Sequence, residues 1–290
     1  MQKFIVSTDS GCDLSKEEAA RLNISVLNMS YTIDDVIYTD TMEVPTLHKF
    51  YADMKNGAVP KTGSISIGEF HDYFKKLSEE KKPIVHMSLG SGISGTYMNS
   101  IQAKEMLIKE IPDLELILID TTLASAGYGL LAIRAAEMRD NGMTAEECAT
   151  EIEKVKRNIE PYFTTDDLTY LYRGGRVSKT GMIIANALGI QPILELDYEG
   201  HLRVCNKVRG RRQTWAKIAS IIKERSVGPE KQTLFVSHSN CSELAKEFAE
   251  YIKKEVGFKD IYYTYIGTII GAHTGPGLVA LFFEGIERDQ

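Results

Sequence analysis

Gly90, Gly92 and Gly95 stand in the spacing G-x-G-x-x-G within GSGISGTY (90–97). They follow an apolar run, PIVHMSL (83–89), and open a run of helical composition, GTYMNSIQAKEMLIKEI (95–111). Glycines let the backbone turn tightly there. The first turn of the helix then offers free N–H groups and partial positive charge to an anion. A pyrophosphate would suit that arrangement, with Asp120 as the acid of a dinucleotide fingerprint. A carboxylate would suit it equally well. Two details weigh against the dinucleotide. The loop does not follow the first strand, KFIVSTD (3–9), and it carries hydroxyls at Ser91, Ser94 and Thr96 that a pyrophosphate cradle does not require. Ser94 also raises the chemistry of a serine hydrolase, but the nucleophile elbow needs G-x-S-x-G, and Thr96 stands where its last glycine belongs.

Four further stretches carry polar chemistry. In KTGSIS (61–66), Ser64 or Ser66 serves as a helix N-cap, and Thr62 offers a hydroxyl to an oxyanion. YLYRGGRVSKTG (170–181) sets Arg173, Arg176 and Lys179 around a Gly-Gly turn. It lacks the P-loop spacing, so it reads either as solvated surface or as a site for phosphate or an acidic partner. GAHTGPG (271–277) places His273 among glycines after a strand-like run, where a histidine is better placed for function than on an apolar stripe. KVRGRRQTW (207–215) is a basic cluster, either a solvated loop or a dock for an anionic partner.

The elements that position these residues alternate in the first half. KFIVSTD, PIVHMSL and LELILID (114–120) read as buried strands, and 24–40 reads as extended. Helices are expected over 14–23, 46–57, 67–82, 95–111 and 125–142, with Phe70, Tyr73, Phe74 and Leu77 on one face of the third. This alternation predicts a parallel sheet with helices on both faces. Thr144 and Glu147 form a capping box for a helix reaching about residue 159, which with EPYF (160–163) reads as a hinge. Beyond it, 191–208 is a hairpin turning near Glu199-Gly200, helices occupy 211–228 and 242–258, and TLFVSHS, DIYYTYIGTII and GLVALFFEG read as strands. The fold class is therefore α/β in two domains, a Rossmann-like parallel-sheet domain over 1–158 and a smaller α+β domain over 159–290.

Composition narrows the function classes. With 290 residues, 43% of them apolar, the chain can bury a core in each domain. A net charge of −6 disfavours nucleic acid, which calls for a broad basic face. Cys12, Cys148, Cys205 and Cys241 are far apart, so they read as reduced thiols in a cytoplasmic protein rather than as disulfides. The six histidines show no ligand spacing, so no metal is expected. Neither a signal peptide nor a membrane-spanning run is visible, so stable membrane insertion is not expected.

The stretches occur together in a recognisable order. Asp9-Ser10, the T-x-S-x-S region at Thr62, S-x-x-S-G-T-Y at 91–97, D-T-T-x-x-S-x-G at 120–127, Y-L-x-R-G-G-R at 170–176, R-G-R at 209–211 and G-x-H-x-G-P-G at 271–277 span nearly the whole chain. In this the chain resembles the DegV family, the bacterial fatty-acid-binding proteins that serve as the lipid-carrying subunit of fatty acid kinase. It departs from the usual family pattern at Gly63 and Ile65, where serine and proline are common.

The resemblance implies a protein with no catalytic activity and no cofactor. It implies one long-chain fatty acid, of the C14–C18 class, in an apolar tunnel. Thr62, Ser94 and His273 would hydrogen-bond its carboxylate, supported by the loops at Gly95, Ser91 and Ser125. Arg173 would lie where a partner kinase docks and transfers phosphate, making acyl phosphate for phospholipid synthesis. For the tail we expect Ile93 and a helix over 179–190 with Met182, Ile183 and Leu188; such apolar spacing also fits ordinary core. The catalytic alternative is a serine esterase or lipid hydrolase using Ser94. Energetically the tail dominates: at ~0.8 kcal/mol per buried methylene, about fifteen methylenes contribute on the order of 10 kcal/mol before binding costs.

Overall fold

The structure is a computed structural model, and it describes residues 2–178 and 189–289. Its first half runs β1 (Ile5–Asp9), α1 (Lys16–Arg21), β2 (Ile24–Leu27), β3 (Ser30–Ile33), β4 (Val36–Thr39), α2 (Val44–Lys55), β5 (Lys61–Thr62) and α3 (Ile67–Ser78). It continues with β6 (Ile84–Ser88), α4 (Thr96–Glu110), β7 (Leu116–Asp120), α5 (Ala126–Asp140) and α6 (Ala145–Val155). Four strands form an all-parallel sheet in the order β2-β1-β6-β7. Its two central strands are buried along their whole length, because helices cover both faces. A small antiparallel sheet, β4-β3-β5, stands beside it.

The second half contributes β8 (Ile159–Thr164), α7 (Thr169–Arg173), β9 (Ile190–Leu196), β10 (Leu202–Arg209), α8 (Arg211–Arg225) and β11 (Thr233–His238). α9 (Ser242–Val256), β12 (Asp260–Tyr265), α10 (Thr268–Thr274) and β13 (Val279–Glu284) complete it. A mixed six-stranded sheet runs β10-β9-β8-β13-β11-β12, in which only β11 and β12 are parallel. The expected α/β architecture, with a parallel sheet and a separate mixed sheet, is therefore present.

Local chemistry explains most boundaries. Ser66 and Glu69 close a capping box at the start of α3, and Thr144 and Glu147 close another at α6. Phe70 and Phe74 are fully buried on one face of α3, with Tyr73 and Leu77 packed beside them.

Several expectations need correction. EPYF lies within β8, an interior strand of the six-stranded sheet, rather than in a connecting segment. Pro161 is tolerated there because β9 pairs only with Tyr162–Thr164, so its missing N–H costs no bond on that side. α6 stops at Val155, and a 3-10 turn over 156–158 leads into β8. Thr268-Ile-Ile reads as strand because β-branched residues favour extended chain, yet it opens α10. Met182, Ile183 and Leu188 lie outside the described residues, and Ile190 belongs to β9.

α10 is held by partners distant in sequence. Gly267 N–H donates to Asp13 Oδ1 (2.8 Å), and Tyr51 O–H donates to the Ile266 carbonyl (2.8 Å). Ile269 and Ala272 then bury themselves with Phe50, Tyr51 and Phe70, in the core of the first half. A Cβ on Gly267 would lie 2.8 Å from Asp13 Oδ1 and 3.3 Å from Asp40 Oδ2, so two buried carboxylates face the entry to this helix.

Burial pushes the Asp40 carboxyl up to about 6, with Asp9 adding repulsion. A raised folded-state pKa contributes stability that is complete below the unfolded value, near 3.8, and is lost as pH rises through about 6. Buried His86, pushed down to about 3, acts in the opposite sense: its contribution is complete above about pH 6.5 and is lost as pH falls toward 3. Asp40→Asn removes only the first effect. Between pH 4 and 8 its stability relative to wild type is expected to improve by roughly 2–3 kcal/mol, at ~1.36 kcal/mol per pKa unit. Urea unfolding at the two pH values measures this, and an unchanged difference would contradict a raised Asp40 pKa.

Candidate functional site

The glycine loop owes its composition to close backbone packing. Gly90 N–H donates to the Leu123 carbonyl (2.8 Å), and a Cβ there would stand 2.8 Å from Leu123 N. At Gly92 a Cβ would meet the Gly200 carbonyl carbon at 2.5 Å, so the β9–β10 turn presses on the loop. Asp120, the acid of the apparent fingerprint, accepts from Ser91 N (3.0 Å), Thr122 N (3.1 Å) and the Ser91 hydroxyl. The two features that suggested a dinucleotide are thus consumed in holding the loop.

The loop delivers Ser94 to a polar cluster. β5, an edge strand paired to β3 through Thr62 and Tyr31, delivers Thr62 and, just beyond it, Ser64. α10 delivers His273. Thr62 Oγ1 lies 2.7 Å from His273 Nε2, and Ser64 Oγ lies 3.5 Å from Ser94 Oγ. Ser94 Oγ also lies 2.9 Å from Thr96 Oγ1 and accepts from Thr96 N. Burial, with some repulsion from Arg176, pushes His273 down to about 4, so the ring is neutral at pH 7. Nδ1 is buried without a hydrogen-bond partner. The ring proton is therefore placed on Nε2, since an unpaired buried N–H is the costlier alternative. His273 then donates to Thr62, and the Thr62 hydroxyl proton is left to point at a ligand.

These groups sit on the wall of a cavity of about 190 Å³. Most of the wall is apolar, with Leu89, Ile93, Phe163, Leu196, Ile270 and Phe282 among its members. At about 15 Å³ per site the cavity has room for roughly a dozen waters, and a chain of about that many methylenes fills a comparable space. Ser64 is exposed, so the polar end is the mouth. The geometry suits an elongated apolar molecule with one oxygen-rich end. It does not supply a serine nucleophile with a base: His273 Nε2 faces Thr62, and no described histidine bonds to Ser94. Among the described residues no group of three or more His, Cys, Asp or Glu is arranged to hold a metal.

Thr62, Ser94, His273 and Ile93 come together on the cavity wall. Gly95 lies at the mouth, where a Cβ would stand 3.2 Å from Ser64 Oγ. Ser125 lines the cavity, but its hydroxyl donates to Asp13. Ser91 is exposed and serves Asp120, away from the cavity. Arg173 ends α7, exposed and without an ion-pair partner among the described residues. In the basic cluster at 207–215, Arg211 pairs with Asp166 and Arg212 with Glu247. Sequence reasoning did not assign Ser64 or Arg176 to this wall, although it named Arg176 within a basic cluster suited to phosphate or an acidic partner. Gly174 underlies the imidazole, and a Cβ there would lie 2.2 Å from His273 Nδ1. The doubled glycine between two arginines was the available signal.

The sequence profile of the DegV family matches residues 3–285. A DegV domain-containing protein of Clostridium perfringens is 36% identical over 290 residues, 100% of each chain. Another, from Lactococcus lactis, is 30% identical over 284 residues, 96% of each chain. Among solved structures, DegV of Bacillus subtilis, a fatty acid binding protein, is 26% identical with a TM-score of 0.83, covering 97% of this chain and 99% of that one. A Thermotoga maritima protein whose structure reveals a fatty acid binding function is 27% identical with a TM-score of 0.84, covering 99% and 100%. The match over almost the full length, in sequence and in fold, establishes that this chain belongs to the DegV family.

Proposed function

We propose that this protein binds one long-chain fatty acid and presents its carboxylate to a separate ATP-dependent kinase. The carrying observation is the cavity: apolar over most of its wall, with Thr62, Ser64, Ser94 and His273 gathered at its mouth. The tail supplies most of the affinity, at ~0.8 kcal/mol per methylene, and the neutral hydrogen bonds, at ~1 kcal/mol each, orient the head. In this reading the chain divides after residue 158. The first part gives Thr62, Ser94 and the supporting residues Gly95, Ser91 and Ser125, and the second gives His273 and Arg173.

The kinase carries out the chemistry. An ionised carboxylate oxygen bonds to the γ-phosphorus of ATP, the bridging P–O bond breaks, and ADP leaves with the electron pair. Arg173, which is exposed and adjoins the glycine beneath His273, in this reading docks that partner or meets the transferring phosphate. The acyl phosphate would feed phospholipid synthesis in the cytoplasm.

Mass spectrometry of lipid extracted from the denatured protein tests the central claim. A free fatty acid in near-stoichiometric amount is expected. Empty protein that also takes up no added palmitate would overturn it.

A further inference from the structure

Arg176 is the one charged side chain on the cavity wall among the described residues. It is half-buried, and burial pulls its pKa down with no acidic group opposing the shift. Its Nε and Nη2 donate to the Ile93 carbonyl, at 3.1 and 2.7 Å, and its Nη1 donates to the Gly174 carbonyl. Arginine carries five N–H groups. Three are spent on these carbonyls, which leaves one on Nη1 and one on Nη2. The guanidinium is thereby fixed between the glycine loop that bears Ser94 and the glycine on which His273 rests. Its charge reaches the imidazole, whose proton affinity it lowers.

A half-buried cation with no acidic partner is costly unless an anion completes the site. The other polar groups at the mouth are neutral: three hydroxyls and an imidazole that stays uncharged above its pKa of about 4. Neutral donors alone leave a carboxylate in an apolar cavity inclined to take up a proton, because burial disfavours its charged form. A protonated acid is a poor phosphoryl acceptor.

We infer that Arg176 supplies the positive charge that keeps the bound fatty acid ionised, so that the protein selects a carboxylate over an uncharged head group of the same size. This inference rests on the fatty-acid reading above. Holding Ile93 in place is a second consequence of the same hydrogen bonds, and the two roles separate experimentally.

The test uses the full chain, palmitate labelled with carbon-13 at the carboxyl, and hexadecanol as its uncharged analogue. In wild type the bound carboxyl signal is expected to report an ionised group from about pH 5 upward. Arg176→Gln is expected to move its titration up by about one unit or more and to weaken palmitate about 10- to 30-fold, the scale of a charge-assisted hydrogen bond. Hexadecanol should change less than about threefold, since its hydroxyl gains little from a charge. Arg176→Lys, which keeps the charge, should restore much of the ionisation. Thermal melting of both variants checks the fold. Equal loss of palmitate and hexadecanol with an unmoved titration would reduce Arg176 to a structural clamp and overturn the inference. An unchanged palmitate affinity would overturn it too. Wild type that binds neither ligand would bring down the fatty-acid reading, and this inference with it.

Discussion

Ala280→Phe is expected to weaken palmitate binding about 100-fold or more while leaving decanoate nearly unaffected. Ala280 lines the cavity from β13, in register with Phe163 of β8, and is among the smallest side chains on that wall. A phenyl ring there enters empty space rather than packed core, so the fold is not asked to expand. It displaces about four methylenes, and at ~0.8 kcal/mol each the loss is about 3 kcal/mol. A shorter chain that never reached the wall keeps its contacts. Calorimetric titration with the two acids measures the contrast. Unaltered palmitate binding would mean that the tail lies elsewhere.

The second large effect concerns two adjacent glycines that fail differently. Gly174 has an ordinary helical backbone, so alanine meets no conformational strain there. Space is the obstacle, since the new Cβ would lie 2.2 Å from His273 Nδ1. Relief requires the imidazole to leave Thr62, and with it goes the donor chain at the mouth. Gly174→Ala is expected to lower palmitate affinity about 10-fold or more, the equivalent of one or two hydrogen bonds, with a modest change in melting temperature. Gly175 has φ +73 and nothing within 4 Å of a new Cβ. Gly175→Ala should therefore cost about 1 kcal/mol of stability through backbone strain and leave binding nearly unchanged. The pair is read by measuring melting and binding on both proteins. Equal binding losses would remove Gly174 from the site.

Much of this architecture is legible in local sequence. The capping boxes at Ser66–Glu69 and Thr144–Glu147 involve residues three apart, and the phenylalanines of α3 repeat with the helix. The β9–β10 hairpin announces itself by a turn whose ends meet across a few residues. The site is less legible because its defining contacts are remote. Thr62 meets His273 across 211 positions, and Tyr51 meets Ile266 across 215. Resemblance to a family carried Thr62, Ser94 and His273 forward as expectations, and the structure gathers them on one cavity wall. Arg176 stood out only as one of a basic cluster, because an arginine's surroundings, unlike a helix's period, leave no local trace. The glycine triplet shows a different limit. Backbone pressing on backbone and backbone pressing on pyrophosphate ask for the same residue, so spacing alone cannot tell them apart.

The placement of α10 has a consequence for how the chain is made. The helix is read out long after Phe50, Tyr51 and Phe70, yet it plugs the core built around them. At about 5–20 residues per second, those aromatics wait on the order of 10–40 s between leaving the ribosome and receiving Ile269 and Ala272. For that interval the nascent first half carries an open apolar notch and only half of a head-group site. A truncated product never acquires His273. The half of the head-group site carried by α10 thus follows the half carried by β5 and the glycine loop, and a chain closes around a ligand only after α10 has been made.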